Sequence, residues 1–344
     1  MIEQISSPHG SHRTALWITW EHHRRTLELC HALSIELCEL TSPRSRGLRY
    51  VVLLARTTIC LLRRRPSLVV VQCPSVVLGL WAALLKPLLG FSLVADLHNE
   101  AVRPFSILSS TYESVLAFIH ATADLCLVSN AHLSDVVERA GGKVFVLPDK
   151  LPDMRPRAIV PAGPTRSVVF VCTYAPDEPF REVIDAARGI DPTVTVFVTG
   201  SYRRVEPLHP PENVYLTGYV SERDYVALLQ TADVIVDLTC IDDCLVCGAY
   251  EAVALGKPLV TSDTAALREY FNRGTVYTKH DSQSLAAAMS YALEHSDELA
   301  AEMRTLRVEL ARDWVRQRDA LRRLLQLDES GRTASDLIPL PMRH

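Results

Sequence analysis

Short apolar runs recur along this chain, each separated from the next by an amphipathic stretch of helical period. In the first half, Ala15–Trp20, Ile35–Leu40, Leu68–Gln72, Phe91–Leu97, Asp124–Val128 and Val144–Leu147 read as buried strands. Helical patterns lie between them near Arg24–Leu33, Leu48–Leu62, Val76–Leu88, Thr111–Ala121 and Ala131–Ala140. Strands that are apolar on both sides need cover on both faces, and an intervening helix demands a crossover connection. That combination predicts a parallel sheet flanked by helices. Residues 148–164 interrupt the alternation with Pro148, Pro152, Pro156, Pro161 and Pro164. Proline at this density removes backbone donors and fixes φ, so the stretch reads as a linker.

The alternation then restarts. Strands are expected at Val168–Cys172, Val194–Thr199, Val214–Thr217, Val234–Leu238, Pro258–Thr261 and Val276–Tyr277. Helices are expected at Glu182–Arg188, Ser221–Gln230, Gly248–Leu255, Ala265–Phe271 and Ser282–Ala292, with one or two more in Asp297–Leu327. The fold class is therefore α/β, with two Rossmann-like, doubly wound domains facing a central cleft. The first domain takes residues 1–148 and a proline-rich linker takes 149–166. The second domain with its C-terminal helices takes 167–327, and a flexible tail takes 328–344. A length of 344 residues agrees, because single cores stop growing near ~250–300 residues. Two such sheets set their strand ends, where ligands bind in this topology, on either side of one cleft.

The formal charge of −4, from 36 basic and 40 acidic residues, argues against a nucleic-acid binder working through bulk positive charge. Its distribution is uneven. Residues 1–160 carry 17 basic and 13 acidic side chains, whereas residues 161–344 carry 19 and 27, so the first half is the one that attracts anions. Nine scattered cysteines fit reduced thiols in a cytoplasm better than a disulfide framework. The opening MIEQISSPHGSHRT lacks an apolar core, so no secretory signal is expected.

Ser75–Ala95 is almost wholly apolar, but Lys86-Pro87 falls within it and Gly90 follows. A spanning helix needs about 20 apolar residues. A helix followed by a buried strand explains the stretch better. Residues 44–65 hold seven arginines and no acid, interleaved with Leu, Val and Ile. Two readings stay open for them. One is a basic amphipathic helix lying on an anionic membrane surface; the other is an ordinary solvated helix face. Nucleic acid is disfavoured here, because Tyr50 alone offers a ring for stacking.

The segment VIVDLTCIDDCLVCGAYEAVALGKPLVTSDTAALREYF, Val234 to Phe271, is the most informative. A strand ends at Asp237-Leu238, a polar loop follows, and a helix opens near Cys244–Gly248. Asp243 at the loop and Glu251 two turns along fall near one face. Free amides at the helix start can receive a phosphate between them. One acid can then take sugar hydroxyls and the other ribose hydroxyls. By spacing alone, an N-capping Asp with an incidental Glu fits as well.

The run GAYEAVALGKPLVTSD closely resembles the donor-binding segment of family 4 glycosyltransferases of the GT-B fold. That segment has an acid, seven intervening residues, Glu-Ala, a small or apolar helix, Gly-Lys/Arg-Pro and a buried strand. Here the positions are Asp243, Glu251, Ala252, Gly256, Lys257 and Pro258, with Ser262 and Asp263 ending the strand. TADVIVDLT and NVYLTGYVSERDYVALLQTADV resemble the family's preceding elements, VFVLPDKLPD its last first-domain strand and linker, and Trp314–Leu325 its closing helix. The resemblance implies a retaining, hexosyltransferase-type enzyme of polysaccharide biosynthesis. It would move sugar from a UDP- or GDP-sugar to a saccharide or lipid-linked acceptor, with no metal and no other cofactor. The thiols point to the cytoplasm, and the arginine-rich residues 44–65 leave open a peripheral place at the inner face of the membrane. The resemblance also implies that Glu251 holds the donor ribose, and that Asp243, where the family usually has Glu, stands against the donor sugar. Amides of Cys244, Leu245 and Val246 would line the diphosphate, and Tyr219 and Val220 would border the base. His98 resembles the family's cleft histidine, at a strand's carboxyl end, where an imidazole can bind a hydroxyl or relay a proton. Asp243 and His98 are thus the expected catalytic residues.

The chain departs from the family where a basic pair usually follows the second domain's first strand. That loop runs from Val171 through Thr173, Tyr174, Asp177 and Glu178 to Arg181. Thr173 and Tyr174 can donate hydrogen bonds, but the nearest charges are acidic. Arg203-Arg204 after Gly200, or a group from the first domain, is left to supply positive charge. The first strand and loop, Trp17–Thr26, lack the family's glycine-rich text. His22, His23 and Arg24 would face the acceptor or the donor phosphates from a helix start, with a basic surface loop as the plainer reading. Cys240, Cys244 and Cys247 lack the second pair that a zinc site needs. With no G-x-S-x-G elbow and no G-x-G-x-x-G after a strand, a hydrolase and a nicotinamide enzyme are disfavoured. Two alternatives remain: a sugar-nucleotide epimerase of the same fold, and a non-catalytic partner subunit of a membrane-bound glycosyltransferase.

Overall fold

The apolar runs form two wholly parallel six-stranded sheets in a computed structural model that describes residues 14–73, 75–102, 110–154, 166–205 and 208–327. The first sheet contains β1 (Ala15–Thr19), β2 (Glu36–Glu39), β3 (Leu68–Cys73), β4 (Ser92–Leu97), β5 (Leu125–Val128) and β6 (Val144–Val146). Its order is β2-β1-β3-β4-β5-β6. The second contains β7 (Ser167–Phe170), β8 (Thr195–Thr199), β9 (Val214–Gly218), β10 (Val234–Asp237), β11 (Leu259–Ser262) and β12 (Thr275–Thr278), in the order β12-β11-β10-β7-β8-β9. Each sheet reverses its direction of growth at its first strand. The crevices beside β1 and β7 are therefore topological switch points, where loops part and a ligand can enter.

Helices fill the crossovers. They are α1 (Arg24–Leu33), α2 (Arg46–Arg64), α3 (Val76–Leu89), α4 (Asn99–Val102), α5 (Ser110–Thr122) and α6 (Ser134–Arg139) in the first half. The second half has α7 (Phe180–Ala186), α8 (Glu222–Thr231), α9 (Cys247–Leu255), α10 (Ala265–Tyr270), α11 (Ser282–Glu294) and α12 (Ser296–Leu324). Ala131–Ala140, read as one helix, divides into a 3-10 turn and α6, and the closing block forms the single helix α12. The short α4 and the 3-10 turn Tyr202–Arg204 have no periodic signal in the sequence.

One face of the first sheet is covered by α2, α3 and α5, through Leu53, Leu61, Leu78, Ala82, Leu116 and Ile119. The other face is covered by α1 and, from the far end of the chain, by α12. Trp314, Leu321 and Leu325 pack there with Trp17, Leu29 and Leu33. Each such buried side chain contributes about 1.5–3 kcal/mol. Trp314 Nε1 also donates to the Pro148 carbonyl at 3.1 Å, and Arg322 to that of Leu33 at 2.7 Å. The start of α12 lies under the second sheet instead, with Met303 and Leu306 buried there.

The apolar stretch Ser75–Ala95 resolves into α3 and β4. Lys86, its one charge, binds the Thr122 carbonyl at 2.7 Å and Asp124 at 2.8 Å. No helix among the described residues is long and apolar enough to cross a membrane. Most of the proline linker (155–165) and the tail (328–344) lie outside the described residues.

Candidate donor and acceptor cleft

The second sheet's switch point lies between β7 and β10. β10 ends at Asp237, whose Oδ2 accepts the Gly248 amide in the first turn of α9. A Cβ on Gly248 would sit 2.6 Å from that oxygen and 2.9 Å from the Val171 Cβ, so only glycine lets strand and helix approach this closely. Asp237 is fully buried. Burial above all, and then Glu251, Glu178 and Asp177, push its carboxyl well above the usual range against the pull of the Gly248 amide. The start of α9 favours negative charge near it, yet the carboxyl that occupies this end is one whose surroundings oppose ionisation.

Glu251 lies on the buried side of α9 and accepts a hydrogen bond from the Tyr225 hydroxyl of α8. Burial raises its carboxyl, and the Tyr225 bond and the Arg24 cation of the first domain partly offset this. Asp243 sits half-buried in the preceding loop, where its backbone carbonyl accepts from Asn130 Nδ2 at 2.9 Å. Cys244 is reached from the first domain too, by the Asn99 side chain. Leu245 is half-buried, and buried Val246 precedes the first residue of α9.

The loop after β7 satisfies itself. Glu178 accepts the amides of Thr173 at 2.8 Å and Ala175 at 3.0 Å, and the Thr173 hydroxyl at 2.8 Å. The Thr173 groups expected to meet a donor are thus turned to the chain's own carboxylate. Tyr174 adopts a left-handed φ of 61° and packs against Phe180, leaving its buried hydroxyl without a partner among the described residues. Asp177 ties this loop to the next. Its side chain accepts from Thr239 Oγ1 at 2.8 Å and its carbonyl from the Cys240 amide at 2.7 Å. Gly200, at φ 89°, lies so close to the Cys172 carbonyl that any Cβ would strike it. The Tyr202–Arg204 turn consequently abuts the loop. Arg203 is exposed there, and the Arg204 side chain lies outside the described residues. Tyr219 is 90% exposed and Val220 half-buried in the loop between β9 and α8.

Facing these loops, the first sheet carries a buried ionic network that the sequence reading missed. Arg25, in the first turn of α1, reaches Asp96 with Nε and Nη2 at 3.1 Å each, the Leu147 carbonyl at 2.9 Å, and Asp149. Burial alone would raise the Asp96 carboxyl, but Arg25 and His98 outweigh it and hold Asp96 well below the usual range. His98 follows at the carboxyl end of β4, with Nε2 3.6 Å from Asp96 Oδ2. Its ring meets that of His23 edge-on, centroids 4.5 Å apart. Burial and the neighbouring His98 both lower the His23 pKa, which favours a neutral ring. Arg24 pairs with Glu28 at 3.1 Å and stays exposed. His22 turns away from this group towards Glu39 on β2, at 3.3 Å.

The fold thus brings His23, Arg24 and His98 to the same cleft as Asp243, Cys244 and Glu251, and leaves His22, Arg203 and Tyr219 further out. Arg25, Asn99, Asn130, Tyr225 and Asp237 join the site unannounced. Of these, only Asp237 had a local signal, an acid closing a strand just before a helix.

Residues 165–295 match a family model described as glycosyl transferases group 1. Among solved structures, Anabaena Alr3699/HepE in complex with UDP and glucose aligns with a TM-score of 0.72 at 16% identity, over 92% of this chain and 100% of that one. Sucrose-phosphate synthase of Thermosynechococcus elongatus aligns at 0.73 and 15% identity, over 91% and 98%. A protein assigned as a UDP-N-acetylglucosamine 2-epimerase from Listeria monocytogenes aligns at 0.60 and 13%, over 85% and 91%. No curated protein sequence matches significantly. What is shared at these identities is the fold, and it is the GT-B arrangement expected from the sequence.

Proposed function

We propose that this protein transfers a sugar from a nucleotide-sugar donor, UDP- or GDP-linked, to a saccharide or lipid-linked acceptor. The observation that carries this reading is Glu251. It is buried at the middle of α9 within the segment that matches the glycosyltransferase model, one turn beyond the helix start and within the field of Arg24 from the first domain. HepE, similar in fold, holds UDP and glucose. In this reading Glu251 takes the ribose, Asp243 the donor sugar, and the amides of Cys244–Val246 the diphosphate. The carboxylates around β7 leave positive charge to come from the first domain, and Arg24 is the cation whose field reaches Glu251. His98, aligned by an ionised Asp96, contacts the transferred sugar.

Cleft closure excludes water and strengthens these contacts, and the leaving diphosphate accepts the acceptor's proton. Transfer is of a hexose, retains configuration and needs no metal. The enzyme works in the cytoplasm, at the inner face of the membrane. Donor-dependent nucleotide release across a panel of activated sugars, with Glu251→Ala alongside, tests the reading. The variant is expected to lose about 100-fold or more in turnover, as for a severed charge-assisted contact, and to lose the donor's thermal protection while its own melting stays near that of the parent. Unchanged turnover refutes the role of Glu251.

Two observations favour other readings. The Listeria protein's fold favours an epimerase, which would alter a donor with no acceptor present. Glu178 filling its own loop favours a non-catalytic partner, which would bind nucleotide without transfer.

A further inference from the structure

The outer layer of the first domain is built oddly for a surface. The inward side of α2 buries Leu53, Thr57 and Leu61. Its opposite side shows Leu48, Val51, Ile59 and Leu62 to solvent, Val51 at 62% exposure. Those positions repeat at helical spacing, so they form one stripe roughly 20 Å long. On the neighbouring α3, Leu84 and Leu88 are exposed as well, Leu88 at 77%. Trp81 Nε1 of α3 donates to Thr58 Oγ1 of α2 at 3.0 Å, and this seam joins the two helices into one apolar face. Contiguous apolar surface of this kind is uncommon on a protein without a partner.

The charge around the face has one sign. Arg49, Arg56 and Arg63 recur every seven residues and therefore line the flank of α2 opposite Thr58. Arg44 and Arg65 are exposed just beyond its two ends. From residue 40 to residue 95 the sequence contains no Asp or Glu at all. Two acids bordering the layer, Glu36 and Asp124, are held by Arg64 and Lys86.

We propose that this two-helix face docks the first domain onto an anionic lipid bilayer. Apolar ridges enter the boundary between headgroups and acyl chains, while the exposed Arg44, Arg63 and Arg65 reach lipid phosphates beside them. Arg49 and Arg56 instead brace the helix on the carbonyls of Trp20 and Thr41. Residues 40–95 bring no carboxylate to the face, and the bordering Glu36 and Asp124 are offset by Arg64 and Lys86. Both helices start at the carboxyl ends of their preceding strands, β2 and β3, so the face runs up to the rim of the cleft. A lipid-linked acceptor in the same bilayer would meet the cleft there; only this last point rests on the proposed transfer activity.

The test is co-sedimentation of the full chain with vesicles of phosphatidylcholine, alone or mixed with phosphatidylglycerol. Binding to the mixed vesicles only, weakening as salt rises, is expected. Arg63→Glu with Arg65→Glu should lower the bound fraction by roughly tenfold, and Val51→Ser with Leu88→Ser should lower it at every salt concentration. Circular dichroism melts matching the parent's show that the variants fold. No binding to mixed vesicles, or equal binding by both variants, overturns the proposal. So does a concentration-dependent dimer that the same variants dissolve, since the occupant would then be a second copy. Thermal protection by nucleotide sugars, measured without vesicles, separates failure of the docking from failure of the transfer reading.

Discussion

Asp96 and Asp237 hold matching places in the two sheets. Each is a fully buried carboxylate near the carboxyl end of an interior strand, beside the cleft. Their surroundings are opposite. Asp96 is met by the buried Arg25 and held ionised, whereas Asp237 has a backbone amide and a ring of other acids. One half of the site arrives with its charges compensated and rigid. The other arrives electronegative, and gains from protons or from cations brought across the cleft. In the proposed reading, a nucleotide diphosphate is then best held where the two halves meet, and by neither alone.

The contrast can be broken most forcefully at Arg25. Arg25→Met removes the buried cation from Asp96, leaving only His98 beside it, and should cost about 3–5 kcal/mol, read by denaturant titration. A loss under about 1 kcal/mol would mean that Asp96 is not held as described. Next is His98→Ala, for which turnover should fall by about 100-fold with donor thermal protection retained. If donor binding disappears instead, His98 belongs to binding and not to the chemical step.

The pH dependence sharpens the contrast further. A carboxyl lowered by folding stabilises above its unfolded pKa and loses that contribution as pH falls, so Asp96 should favour the folded first domain at neutral pH and release it in acid. A carboxyl raised by folding does the reverse, and Asp237 should weaken the second domain as pH climbs from about 4 through its folded value. Asp237→Asn keeps an acceptor for Gly248 and should raise stability at neutral pH by about 1 kcal/mol, flattening that slope. An unchanged slope would place the titration elsewhere. The smallest effect belongs to Glu178→Gln, about 1 kcal/mol of stability with donor affinity unaltered. A gain in affinity would show that the amides of Thr173 and Ala175 were waiting for phosphate.

The interior strands were legible because both faces of a parallel sheet are buried there, which leaves uninterrupted Val-, Ile- and Leu-rich runs such as Leu68–Gln72. The half-exposed edge strands β2, β6, β9 and β12 were legible instead from their place in the alternation. Glu251 was legible because its neighbours on α9 form a recognisable helix and turn. The compensation around Asp96 was not. Arg25 follows an exposed arginine and sits in a basic run, and nothing local marks it as the buried member that reaches Asp96 and Asp149. The same holds for Glu178, whose partners are amides. Charge patterning in one dimension shows which residues ionise, and only topology decides which of them meet.

The last helix has a consequence for how the molecule is made. α12 supplies Trp314 and Leu321, and its C-cap Leu325, to a face of the first sheet, yet it leaves the ribosome after every strand is finished. Trp17, Leu29 and Leu33 therefore wait, incompletely covered, from the emergence of β6 until Leu325 has been synthesised. At roughly 5–20 residues per second that interval is on the order of ten seconds or more. Translation speed and chaperone supply thus bear on the yield of the first domain more than on that of the second, and a chain stopped short of Trp314 would release an apolar sheet face into the cell.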